Sequence, residues 1–185
     1  MVTIRKELVQ DIGAREALLD LTFGEARFAK ASERLREGRL PADGLSFVAA
    51  EHGRLTGSVR LWNITAGPGR PALLLGPLAV HPDFRCRGVG AALMRRALED
   101  AARRGHRAVL LVGDAPYYGR FGFSAEKTGA LRLPDPYEQH RLLGLELKTG
   151  ALDGARGLIR ATGDRLPKGL PDFLIGANYV PALAA

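Results

Sequence analysis

The sequence contains a single cysteine, Cys86. An internal disulfide is therefore impossible and a cysteine-based zinc site is excluded, which fits a reducing, cytoplasmic setting and a protein without a metal. No stretch approaches the roughly 20 uninterrupted apolar residues that a spanning helix needs, because Arg, Glu or Asp interrupts every apolar run, so no membrane association is expected. Met1-Val2-Thr3-Ile4-Arg5-Lys6-Glu7 places charges where a signal peptide carries its apolar core, which argues against secretion. Internal repeats are absent. So is a G-K-[ST] element, which excludes a P-loop, and so are the third glycine and trailing acidic residue of a Rossmann dinucleotide site.

What is present fits one domain. A chain of 185 residues that is 46% hydrophobic and 25% charged matches an ordinary globular protein able to bury one core. Lys and Arg outnumber Asp and Glu by 27 to 20, a formal net charge of +7 that attracts polyanions. The excess is local: Arg85 to Arg107 holds seven arginines against only Glu99 and Asp100. Arginines on a solvated helix face, with no interleaved aromatics, disfavour nucleic acid as the partner.

Hydrophobic patterning predicts strands at Thr3 to Glu7, Leu45 to Glu51 and Arg54 to Ile64, the last two joined as a hairpin at His52-Gly53. Helices are expected from an Asp11 cap to about Phe23 and over Ala29 to Glu37. Ala72 to Val80 is an apolar run of the kind buried on both faces of a sheet, and Gly76-Pro77 within it removes a ladder donor and predicts a bulge. Gly88 to Arg104 is the clearest helix. It has Val89, Leu93, Ala97, Leu98 and Ala101 inward, charged residues including Asp100 outward, i,i+4 pairs Glu99 to Arg103 and Asp100 to Arg104, and a Gly105 left-handed cap. Ala108 to Val112 reads as a parallel neighbour of the preceding strand across a right-handed crossover. Later strands are expected over Arg141 to Leu147 and Gly157 to Thr162. The domain is read as 1–163, with 164–185 a C-terminal extension forming no domain of its own.

Between the apolar strand and the basic helix lies Val80-His81-Pro82-Asp83-Phe84-Arg85-Cys86-Arg87-Gly88-Val89-Gly90-Ala91-Ala92, whose core reads R-x-x-G-x-G. A helix start leaves amide N–H groups unpaired and concentrates about half a positive charge, so it attracts phosphate. Gly88 and Gly90 lack the Cβ atoms that would hold a diphosphate away, and Arg85 and Arg87 add charge.

Together with Asp114-Ala115-Pro116-Tyr117-Tyr118-Gly119-Arg120-Phe121-Gly122-Phe123, this motif resembles the GNAT superfamily of acyl-CoA N-acyltransferases, over about Leu45 to Leu152. The resemblance implies a mixed α/β (α+β) fold. Its central twisted sheet carries helices on both faces, and a bulged fourth strand splays from the fifth. It further implies acetyl-CoA as co-substrate, an amine acceptor, and a monomer or homodimer. By the same resemblance Leu78, Ala79 and Val80 face the pantetheine arm, and Arg85, Cys86, Arg87, Gly88, Val89, Gly90 and Ala91 hold the pyrophosphate. Tyr118 corresponds to the tyrosine that faces the thioester sulfur, and Tyr117 to a wall of the cofactor cleft. An acyl-cysteine route through Cys86 is disfavoured, since that residue falls beside the pyrophosphate and far from the acyl carbon.

The sequence departs from the family in one respect: Leu73 to Val80 contains no ionisable side chain, where relatives often place a glutamate base. Glu51, His81, Asp114, Glu126 and His140 stay open as proton acceptors, and none is singled out. That gap keeps a second reading open, an acyl-CoA sensor that binds without turnover.

Overall fold

A computed structural model describes residues 1–166. Strand β1 (Thr3–Lys6) pairs antiparallel with β2 (Ser46–Glu51), β2 with β3 (Arg54–Thr65), and β3 with β4 (Pro71–Val80). β4 runs parallel to β5 (Ala108–Val112), which pairs antiparallel with β7 (Leu142–Glu146). β6 (Leu131–Arg132) and β8 (Gly157–Leu158) form a separate two-stranded pair, and β9 (Arg160–Ala161) extends the main sheet along β3 beyond the end of β2. The result is the mixed sheet the sequence implied.

Helix α1 (Ile12–Phe23) and helix α2 (Val89–Arg103) cover opposite faces. Val89, Leu93, Met94, Ala97 and Ala101 of α2 pack on Phe47, Val59, Leu73, Leu75, Val109 and Leu111 in the main core. Leu18 and Leu19 of α1 instead meet Ala79. Both α2 termini follow from local chemistry: Gly88 enters the helix at φ 77°, and at the far end Gly105 (φ 83°) and His106 donate to Ala102 and Ala101 in a Schellman turn.

The decisive irregularity is in β4. Val59 pairs with Leu78 but Leu61 pairs with Leu75, so three residue steps in β4 face two in β3. The extra residue reverses the alternation of side chains. Leu73 and Leu75 face α2 before the bulge, and Leu78 and Val80 pack against the same core after it, while Ala79 turns to α1. Gly76 sits at φ 130°, a region L side chains rarely adopt, and its carbonyl accepts from Trp62 Nε1 at 2.6 Å. β4 pairs with β5 only through Leu73–Val109 and Leu74–Leu110, and beyond that point the two strands part.

Several local expectations need correction. Ala29 to Glu37 forms no α-helix: a 3-10 turn over Glu25–Ala29 is followed by successive turns. The segment instead serves the sheet's open face, with Ala31 and Leu35 buried beside Trp62. Asp11 does not cap α1. Its carboxylate takes the Leu8 amide at 2.7 Å and Arg5 at 2.6 Å, closing the preceding turn. Asp100 is buried, not outward, and pairs with Arg96 and Arg103, whereas Arg104 reaches Asp43. The single strand expected over Gly157 to Thr162 is two short ones that belong to different sheets. Leu40 N donates to Asp164 O at 2.8 Å and Leu166 N to Gly38 O at 3.1 Å. The rest of the extension drawn from 164 to 185 lies outside the described residues.

Contact between α2 and the sheet depends on Gly57. A Cβ there would stand 2.9 Å from Leu93 Cδ1 and 3.1 Å from both Val89 Cγ1 and the Ala79 carbonyl. Gly57→Val is expected to lower stability by about 1–3 kcal/mol through overpacking, read as a lower urea midpoint with an unchanged slope.

Candidate active site

Where β4 and β5 part, a cleft of about 670 Å³ opens. Leu78 and Val80 form one wall, and the loop into α2 forms another with Arg85, Cys86, Gly88, Val89, Gly90 and Ala91. Tyr117 and Tyr118 of helix α3 (Ala115–Tyr118) close the β5 side. Ten of the twelve residues singled out from sequence therefore line one cavity. The other two do not. Ala79 is fully buried toward α1, and Arg87 turns to Glu51, at 3.2 Å, and over the Phe84 ring.

The loop's backbone is set before α2 begins. His81 Nδ1 accepts the Asp83 amide at 3.2 Å and starts a 3-10 turn over Pro82–Phe84; Cys86 then takes φ 59° and Gly88 φ 77°. A Cβ on Gly88 would meet nothing within 4 Å, so the space beside it is open to the cleft. The first intrahelical donor is Ala92, bonded to Gly88 O at 2.9 Å. The amides of Val89, Gly90 and Ala91 precede it and have no partner within the helix. A Cβ on Gly90 would lie 2.8 Å from the Tyr117 hydroxyl, so that tyrosine reaches across the cleft to the helix start.

Tyr118 is held from several sides. It meets Tyr117 edge-on at 4.8 Å between ring centroids and Phe123 at 6.2 Å. Its ring also lies over Gly113 at the end of β5, where any side chain would overlap it. Burial, with smaller contributions from Tyr117 and Asp114, pushes the phenol up to about 12. Tyr118 thus keeps its proton across the neutral range. Gly113 and the cleft-lining Thr22 of α1 carried no signal in sequence, since neither belongs to a motif.

Of the open proton acceptors, only Asp114 lines the cleft, and it pairs with Arg141 at 3.1 Å. Partial burial opposes ionisation of Glu51, yet the Met1 ammonium and Arg87 hold it below the ordinary carboxylate range and tie it to the loop's outer side. His81 contacts Arg54 and Asp83, His140 contacts Glu138, and Glu126 is exposed.

Residues 15–123 match the model of the Acetyltransferase (GNAT) family, more than half of the chain. The chain belongs to the GNAT family. The match runs from α1 through Phe123, the span that builds the cleft. Among family members, Escherichia coli YhbS, described as an uncharacterized N-acetyltransferase, is 29% identical over 157 residues, covering 84% of this chain and 93% of that protein. E. coli YjhQ, described in the same way, is 31% identical over 125 residues, 64% of this chain and 68% of the other. The crystal structure of YhbS in complex with CoA superposes with a TM-score of 0.74 at 29% identity, covering 87% of this chain and 89% of that one. A Brucella melitensis GNAT acetyltransferase in complex with acetyl-CoA shares the fold, with a TM-score of 0.58 at 24% identity. No helix among the described residues is long and apolar enough to cross a membrane.

Ultraviolet titration of the phenols checks the environment of Tyr118. One tyrosine is expected to ionise well above the ordinary value of about 10, and Tyr118→Phe is expected to delete that late step. A late step that persists in the variant belongs to another residue.

Proposed function

We propose that this GNAT protein transfers the acetyl group of acetyl-CoA to an amine by direct attack in a ternary complex, in a cytoplasmic setting. The observation that carries the reading is the parting of β4 and β5 at the Gly76-Pro77 bulge. It frees backbone groups of β4 beside a cleft that has a helix start at one end and a buried phenol at the other. In this reading Leu78 and Val80 border the pantetheine arm, and Arg85, Cys86 and Gly88 to Ala91 hold the pyrophosphate. Three amides at the start of α2, the open space beside Gly88 and the cleft-lining Arg85 support that assignment.

The chemistry asks for two proton movements. An alkylamine of pKa near 10 is neutral only about one time in a thousand at pH 7, so the attacking nitrogen must first give up a proton to water or a side chain. Its lone pair then adds to the thioester carbon, and backbone amides freed near the bulge stabilise the oxyanion. Collapse breaks the C–S bond and leaves a thiolate. Tyr118 faces that sulfur as hydrogen-bond donor. With its phenol near 12 and an ordinary thiol near 8.5, outright transfer is uphill by roughly three orders of magnitude. Tyr118 therefore works chiefly by donating a strong hydrogen bond to the departing sulfur, the net proton coming from the nitrogen as the amide forms.

Two variants separate binding from chemistry. Gly88→Asp puts a carboxylate where the pyrophosphate lies and is expected to abolish CoA binding in calorimetry while the fold survives; unchanged affinity would overturn the pyrophosphate assignment. Tyr118→Phe keeps the ring packing and removes one hydroxyl. It is expected to lower kcat about ten- to a hundredfold with little change in acetyl-CoA affinity. Thiol release from acetyl-CoA with an amine panel reports the turnover, and CoA binding without any release would favour the sensor reading instead.

A further inference from the structure

A second cavity, of about 930 Å³, lies on the other side of the bulge. Pro77 lines it and the next residue, Leu78, lines the CoA cleft, so the two cavities meet at adjacent residues of one strand. α1 borders both, through Arg15 and Glu16 on one side and Thr22 on the other. The volume suits a small molecule.

Its lining is strongly basic, with six arginines against three glutamates. Most of those arginines are occupied. Arg15 and Arg60 hold the buried carboxylate of Glu7 at 2.7 and 2.6 Å, Arg27 pairs with Glu16 at 2.7 Å, and Arg34 pairs with Asp135 at 3.1 Å. Arg36 differs. Its side chain is 6% exposed, and its hydrogen bonds among the described residues run from Nη2, to Glu33 at 2.6 Å and to Ser32 at 3.5 Å. Its Nη1 stands 3.5 Å from where a Cβ on Gly76 would be, against the bulge itself. Its Nε is buried and has no hydrogen-bond partner among the described residues.

Arg36 lines the cavity, and a buried guanidinium that is not fully hydrogen-bonded gains from an anionic oxygen arriving beside it. We propose that the acceptor is a small amine that also bears an anionic oxyacid group, carboxylate or phosphate, and that Arg36 binds this group in the arginine-lined cavity with the amine directed to the bulge. This rests on the acetyl-transfer reading for its amine and on the cavity alone for its anion. Arg36 is then a specificity-determining residue that takes no part in the chemical step.

The test uses matched probes: γ-aminobutyrate against butylamine, and O-phosphoethanolamine against ethanolamine. Each is titrated into CoA-saturated protein by calorimetry and assayed for thiol release from acetyl-CoA. In at least one pair the anionic member is expected to bind, and to turn over, at least about tenfold better than its neutral partner. The pair that responds separates carboxylate from phosphate. Arg36→Gln is expected to bring that preference to about twofold or less without changing CoA affinity, and Arg36→Lys to retain part of it. Neutral members that match or exceed the anionic ones in both pairs overturn the proposal, as does a preference that survives Arg36→Gln. If Arg36→Gln also loses CoA affinity, Glu33→Gln replaces it. Removing the charge that competes for Arg36 should tighten the anionic probes, and no tightening overturns the proposal. Anionic probes that bind through Arg36 with no thiol released leave the anion site standing and overturn acetyl transfer.

Discussion

One additional residue in β4 governs the functional half of this molecule. A β-strand alternates its side chains strictly, so a strand with Leu73 and Leu75 against α2 would turn Leu78 away. The extra step at Gly76-Pro77 brings Leu78 and Val80 back to the α2 side. It also ends pairing with β5 after two residues, and the backbone freed there becomes the wall of a cleft. Proline removes a ladder donor, glycine accepts the positive φ, and Trp62 clamps the carbonyl between them. The same irregularity therefore creates the cleft and sets the second cavity beside it.

The cleft depends on short-range backbone chemistry, while the second cavity depends on buried charge. Glu7 is wholly buried, and burial pushes its carboxyl up to about 7 against the pull of Arg15. Such groups rarely stabilise a fold better than apolar residues of like size. Arg36 is also buried, its Nε has no hydrogen-bond partner among the described residues, and burial lowers its pKa against the pull of Glu33. Buried arginines held at that expense on the wall of a cavity, Arg15, Arg36 and Arg60, fit a binding surface better than a scaffold.

Much of this was legible beforehand because it is encoded locally. R-x-x-G-x-G needs a helix start, two missing side chains and nearby arginines, all within seven residues, and the apolar run before it contained its own bulge signal in Gly76-Pro77. The tyrosine element and Gly122, at φ 88°, are equally compact. Glu7, Arg15, Arg36 and Arg60 escaped notice although faint signals existed. Arg15 occupies the buried stripe of α1 with Ile12, Leu18 and Leu19, and Arg60 interrupts an apolar strand. Each reads alone as a surface charge. Only the pairing of β1, β2 and β3 with α1 brings Arg15 and Arg60 around the Glu7 carboxylate, and only the packing of the 29–37 segment brings Arg36 to the bulge.

The segment over Ala29 to Glu37 failed for a related reason. Its composition favours a helix, but Ala31 and Leu35 must reach Trp62 and Arg36 must reach the bulge, and tertiary contacts outweigh propensity in so short a piece. The sequence by itself determined the family, the sheet's apolar strands, the bulge and the glycine-bearing loop into α2, because each rests on residues adjacent in the chain. Tertiary structure alone decided that Ala79 turns from the cleft and Arg87 leaves it for Glu51, that Gly113 makes room for Tyr118, and that arginines far apart in sequence line one cavity. Those facts depend on which side of a shared strand each residue faces, and one inserted residue is enough to reverse that.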